Sequence, residues 1–133
     1  MIDIEAEIYT SVRNAIKTKY PNAYVSGKPL NKPTEFPAVS LIEMENTPTT
    51  KTADNENIEN TVNLLYEAQI FSVSDNKKTE CKDILSIIDS VMYDYNFNKI
   101  LGRSIPNMVD TSVYRMVGRY TAIADNNNNL YRR

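Results

Sequence analysis

Residues 60–74 read NTVNLLYEAQIFSVS, and their alternation decides the fold. Val62, Leu64, Tyr66, Ala68 and Ile70 fall on one side of an extended chain, with Asn63, Glu67 and Gln69 on the other. A period of two marks a strand with one buried face, because successive side chains point to opposite sides. Leu65, Phe71 and Val73 interrupt the polar side. A second face that is apolar in places predicts a cover there, either a helix or another subunit.

Downstream, Ser74-Asp75-Asn76 offers a helix start, with Asp75 or Asn76 as cap. Cys81, Ile84, Leu85, Ile88, Val91, Met92 and Tyr95 then recur at spacings of three and four, predicting an amphipathic helix over 77–95. Asn96 to Asn107, with Gly102 and Pro106, reads as a connector. Ser112 to Ala124 reads as a strand with Tyr114, Met116, Tyr120 and Ala122 on one face and Val113, Arg115, Val117, Arg119 and Thr121 on the other. Asp125 and four consecutive Asn make a turn, after which Leu130-Tyr131 pairs back as a short last strand.

Upstream, Asn46 to Asn60 holds Pro48, many Thr and Asn residues and one large apolar residue, Ile58. Such a segment buries too little apolar surface to offset its ordering entropy, so residues 46–59 are expected to form a long mobile loop. Ala38 to Glu45 reads as a strand supplied by Val39, Leu41, Ile42 and Met44. Between Asn22 and Pro37, where Gly27, Pro29 and Pro33 also fall, only Ala23-Tyr24-Val25 suits a short strand. Ile4, Ile8, Val12 and Ile16 give residues 2–20 a single apolar stripe, with acidic residues early and lysines late, as the helix dipole favours.

The expected fold is therefore α+β, a single domain over residues 1–133, with residues 125–133 as a polar turn and basic tail. The element order is α, short β, β, long loop, β, α, β, short β. That order predicts a mostly antiparallel sheet of about four strands carrying two amphipathic helices on one face. The core is expected between the helix stripes and the even-numbered faces of the long strands.

Composition narrows the chemistry. The chain of 133 residues has 41% hydrophobic residues, enough for a core, and a net charge of −2 that argues against a general nucleic-acid coat. Histidine is absent and Cys81 is the sole cysteine, so a four-ligand zinc site, an intramolecular disulfide and a histidine-based triad are all excluded. No apolar run approaches the roughly 20 residues of a membrane helix, and the acidic start does not resemble a signal peptide. No glycine-rich phosphate loop, metal motif or nucleophile elbow is present. A non-enzymatic protein without a cofactor or membrane partner is the expectation.

Among individual residues, Asp83, Asp89 and Asp94 are spaced too widely on their helix to converge on a metal. Glu43 and Glu45 would share one strand face. Cys81 lies in the apolar register and reads as core. Nine tyrosines suit half-buried packing or an interface. Arg115, Arg119, Arg132 and Arg133 form the sharpest charge feature, for which pairing with neighbouring acidic side chains, an acidic partner subunit and nucleic acid are the three readings.

The layout resembles the tail terminator, or tail-completion, proteins of tailed bacteriophages and prophages. The N-terminal amphipathic helix, the strand entry EFPAVSLIEMEN (35–46), the polar loop, NTVNLLYEAQIFSVS (60–74), the helix CKDILSIIDSVM (81–92), and SVYRMVGRYTAIAD (112–125) followed by a YRR tail carry the likeness. The resemblance implies a non-enzymatic virion protein of the tail or neck, assembled in the host cytoplasm. It would cap the completed tail tube as a ring, a hexamer, stop tube polymerisation and offer the head–tail joining surface. Its implied partners are further copies of itself, the tail tube protein and a head–tail connector or neck protein, with DNA close by in the channel. The family's mobile loop toward the tube would correspond to residues 46–59, with Thr47, Thr49, Lys51, Asp54 and Glu56 as candidate contacts. A ring needs two different complementary patches per subunit, for which Leu65, Glu67, Phe71, Arg115, Arg119, Arg132 and Arg133 are the candidates. Another head–tail connector component is the nearest alternative; from a different class, a small nucleic-acid-associated phage protein would use the C-terminal arginines.

Overall fold

The computed structural model describes residues 2–30, 32–49, 61–105 and 112–132. The alternating stretch forms β3 (Thr61–Ser72), and Val62, Leu64, Tyr66, Ala68 and Ile70 on its even face have almost no exposed surface. It runs between β2 (Ala38–Pro48) and β5 (Tyr114–Asp125), antiparallel to both. Outside these lie β1 (Tyr24–Ser26), parallel to β2, and β4 (Asn98–Ser104), antiparallel to β5. A short β6 (Leu130–Arg132) pairs with the far end of β5, completing a sheet of order β1-β2-β3-β5-β4 with β6 beside β5.

Two helices, α1 (Glu5–Lys19) and α2 (Lys77–Asp94), cover one face. Ile8, Val12 and Ile16 of α1 and Cys81, Ile84, Leu85, Ile88 and Met92 of α2 share one core with the even positions of β3 and β5. The expected α+β class, antiparallel bias and two helices are all present. Among the described residues the sheet has six strands where about four were expected, and the stretch expected to be a connector contains β4. This strand carries Asn, Lys, Gly and Arg and buries little, as an edge position allows, so it lacks the alternation that marks β3.

In β2 the core face is odd-numbered, not even: Val39 and Leu41 point to the helices. A bulge follows, in which the register passes from Glu43 opposite Tyr66 to Glu45 opposite Leu65, leaving Met44 unpaired. The strand then runs on to Pro48, three residues past its expected end at Glu45. A second structural device ends α2. Asn96 takes a left-handed φ of 64°, its N–H bonds to the Tyr93 carbonyl at 2.9 Å, and the Phe97 N–H bonds to the Met92 carbonyl at 2.9 Å. This paired closure satisfies the orphan carbonyls of the last turn, and the Asn96 side-chain amide donates to Leu130 O at 2.9 Å, tying α2 to β6.

Among the described residues the opposite face of the sheet carries no helix. At one end, Leu30 and Phe36 of the chain's own 27–37 segment pack on Ala38, Phe71 and Val113. The cover expected over Phe71 as a helix or second subunit is, at that end, this irregular segment.

Candidate functional site

Five of the residues singled out as interface candidates sit together on the helix-free face. Odd positions of β3 and β5 point the same way, so Leu65, Glu67 and Phe71 lie beside Arg115 and Arg119. The register places Glu67 directly opposite Arg119, and Phe71 opposite Arg115. Arg119 Nε donates to Glu67 Oε2 at 2.8 Å, and Gln69 Nε2 donates to Glu67 Oε1 at 2.7 Å. Arg115 donates to Gln69 Oε1 at 2.8 Å, and its guanidinium stands 5.6 Å from the centre of the Phe71 ring. The result is a continuous row, Arg119–Glu67–Gln69–Arg115–Phe71, across two strands.

Glu67 is only 4% exposed, whereas Arg119 keeps nearly half of its side-chain surface in water. One buried carboxylate is thus neutralised by a guanidinium reaching it from solvent, and the second arginine leaves the row with a net positive charge. Two buried polar atoms on this face, Ser40 Oγ and Arg115 Nε, have no hydrogen-bond partner among the described residues. An orphaned buried group of this kind typically costs about 1–3 kcal/mol. Pairing with this chain's own acid accounts for Arg119, but Arg115 meets an amide and a ring.

Arg132 does not join Arg115 and Arg119 as expected. Arg132 lies on the helix side, donating to Tyr93 O at 3.1 Å with its guanidinium 4.3 Å from the Tyr93 ring centre. Its place opposite Ala122 in the β5–β6 pairing turns it away from Arg115 and Arg119. Arg133 lies outside the described residues. Of the expected mobile loop, Thr47 belongs to β2 and donates to Glu45 Oε1 at 2.9 Å, while the Thr49 N–H bonds to Thr61 O at 3.1 Å. The start of that segment is therefore strand; Lys51, Asp54 and Glu56 lie outside the described residues.

The acidic residues are dispersed. Glu43 and Glu45 were expected on one face, but the bulge at Met44 sends them to opposite faces. Glu43 accepts from the Tyr66 hydroxyl at 3.1 Å, and its carboxyl is pushed above the usual range, chiefly by burial and further by Glu5 and Asp3. Burial, with the charge of Glu43, also raises the Tyr66 hydroxyl. Asp83 holds Lys19 at 2.7 Å and the Tyr20 hydroxyl at 2.6 Å. The Lys19 bond keeps Asp83 below the ordinary carboxylate range, and the bond to Asp83 lifts Tyr20 to about 12. Asp89 takes Lys99 at 3.0 Å and the Tyr120 hydroxyl. Among the described residues no three acidic or cysteine side chains converge on a metal position. Cys81 is fully buried and its thiol is pushed up to about 12 by that burial, so it is an inert core residue.

The clefts among the described residues include one of about 720 Å³ beside β1, lined by Arg13, Lys17, Tyr24 and Glu35, and two others. One of about 360 Å³, lined by Asp89, Tyr93, Asp94, Phe97, Lys99 and Tyr120, lies at the end of α2, and in it Asp89 takes both the Lys99 ammonium and the Tyr120 hydroxyl. The other, about 590 Å³, lies between the start of α1 and β1, lined by Asp3, Glu5, Tyr9, Tyr24 and Leu41. Sequence reasoning missed the Glu43–Tyr66 and Asp89–Tyr120 pairs, which join residues far apart in the chain and carry no local pattern. Among the described residues neither of these two clefts brings a nucleophile to a base, and the sheet face away from α1 and α2 carries a row of mostly paired charge.

No protein-family model and no curated protein matches the chain.

Proposed function

We propose that this chain is a structural virion protein that closes the completed tail tube of a bacteriophage as a six-membered ring. The ring stops tube polymerisation and presents the surface to which the head is joined. The observation that carries the reading is the convergence of Leu65, Glu67, Phe71, Arg115 and Arg119 on one helix-free sheet face. A row of buried and half-buried charges spanning two strands suits a fixed protein surface better than a diffusible substrate. The likeness of the element order to tail terminators supplies the biological setting. It extends to the N-terminal helix, the entry strand at Glu35–Asn46, the long central strand and the closing YRR segment.

The test is tube growth. Purified tail tube protein is polymerised with and without this chain, and tube lengths are measured by electron microscopy. Added chain is expected to halt elongation and to appear as a ring at one tube end. Unchanged length distributions with bare ends contradict the proposal. A nucleic-acid function is separated by salt: phosphate contacts would make binding to DNA fall steeply between low and physiological salt, a behaviour the ring reading does not require.

A further inference from the structure

Among the described residues the sheet has two open borders. On β2, β1 pairs only with Ala38–Ser40, and no strand among the described residues lies outside the stretch from Leu41 to Pro48. On the far side, β4 pairs with β5 along one edge and has no strand on its other edge among the described residues. Unpaired strand edges are templates for adding another strand.

The two borders match in four respects. Each carries a bulge: Met44 is skipped in β2, and Ile100 in β4, where the register passes from Lys99–Tyr120 to Leu101–Arg119. Each skipped residue is a large apolar side chain held in water, Met44 at 50% and Ile100 at 57% exposure. Bulges and charges ordinarily blunt an edge, but a bulge that projects a large apolar side chain gives that protection away. The charges are opposite: β2 contributes Glu43 and Glu45 there, β4 contributes Lys99 and Arg103. They also match by face. Glu43 and Lys99 stand opposite Tyr66 and Tyr120 on the helix side, whereas Glu45 and Arg103 stand opposite Leu65 and Val117 on the helix-free side.

Strand direction agrees. β2 and β5 are both antiparallel to β3 and so run the same way, while β4 is antiparallel to β5. A second copy placed alongside in the same orientation therefore brings its β4 antiparallel to β2, with the helices of both copies on the same side. On the helix side of the same border, the 590 Å³ cleft opens beside Leu41 where β1 stops, lined by Asp3 and Glu5 with Lys28. Burial, with the nearby Glu5 and Asp3, holds the Glu43 carboxyl up on the helix side of this border. Lys99 is bonded to Asp89, but Arg103 is exposed with no ion pair among the described residues.

We infer that the outer edge of β2 in one protomer receives the β4 edge of a second copy of this chain as an added antiparallel strand, burying Met44 and Ile100 and bringing Arg103 to Glu45 on the face away from the helices. The joint is head-to-tail, so repetition generates a ring when the rotation closes and a filament when it does not. Its closure at six rests on the ring reading above.

The test uses the full chain, with tail tube protein present if assembly requires it. Two variants, Arg103→Glu and Glu45→Arg, are compared with wild type by native mass spectrometry across a concentration series, with thermal unfolding as the folding control. Each variant alone is expected to keep the wild-type melting profile while its assembly midpoint moves at least tenfold higher in concentration. Mixed one to one, they are expected to recover assembly in strict alternation. In that order each joint carrying both substitutions has its charges exchanged yet still opposite, and the next joint is wild-type on both sides. Variants that assemble like wild type, or a mixture no better than its parts, overturn the edge joint; a wild-type ring in those experiments leaves the terminator reading standing. Open chains of wild type that the variants lose and the mixture restores support the joint and sink the ring. A wild type that stays monomeric with and without tube protein overturns both.

Discussion

Glu67 and Arg119 face each other across the β3–β5 pair, Oε2 to Nε at 2.8 Å, with the carboxylate buried and the guanidinium half in water. The geometry makes the acid dependent on the base: without Arg119, the Glu67 charge keeps, among the described residues, the Gln69 amide alone. Arg119→Ala is expected to destabilise the protomer by about 1–2 kcal/mol, below the range for fully buried pairs because Arg119 is partly solvated. The double variant Glu67→Leu/Arg119→Leu is expected to recover most of that loss, since no buried charge remains. Urea unfolding measures both; a double variant less stable than Arg119→Ala contradicts the account.

Glu43 gives a pH dependence of the opposite sign to an ordinary salt-bridged acid. Its carboxyl is raised in the fold by burial and by Glu5 and Asp3, so the folded state holds its proton more tightly than the unfolded chain. Stability from this group is therefore present below the unfolded value, about 4.3, and is lost as pH rises through the folded value. Glu43→Gln, which keeps an acceptor for the Tyr66 hydroxyl, is expected to raise the melting temperature at pH 7. The gain is expected to vanish near pH 4. A variant that is less stable than wild type at pH 7 contradicts this assignment.

Asn96 closes α2 in a left-handed conformation that costs most residues roughly 1–2 kcal/mol. Asn96→Val is expected to lose about 2 kcal/mol, combining that strain with loss of the bond to Leu130 O. Asn96→Gly is expected to stay within about 1 kcal/mol of wild type, because glycine adopts the conformation freely. Equal losses in the two variants, measured by thermal denaturation, contradict the closing role.

Ile88 has no exposed surface and sits in the middle of the α2 stripe. Ile88→Asp places an unpaired carboxylate in that core at a cost of several kcal/mol, comparable with the whole stability of a small domain. Loss of the cooperative unfolding transition is expected. A well-folded variant at neutral pH would mean that the stripe does not face the core.

The residues that made the fold readable are those whose burial follows a local period. Positions 62, 64, 66, 68 and 70 of β3 are all apolar and in the core, and α2 repeats at three and four, because each packs one face on the same core. β4 escaped because an edge strand needs little apolar surface, and Ile100 and Lys99 give no alternation across a bulge. The same physics separated Glu43 from Glu45: one extra residue at Met44 reverses every later side chain, and nothing local announces it. The interface candidates on β3 and β5 could be grouped from alternation alone, yet their hydrogen-bonded row depends on a register between strands dozens of residues apart. Arg132 is near them in sequence, whereas the pairing of β6 sends it to Tyr93.

The central claim, that this protomer works as one unit of a ring on a tail tube, is tested most directly by native mass spectrometry of the wild-type chain. The protein is measured over a wide concentration range, alone and with tail tube protein. The account predicts a closed hexamer in at least one of the two conditions. A monomer in both, with no association with the tube, contradicts it.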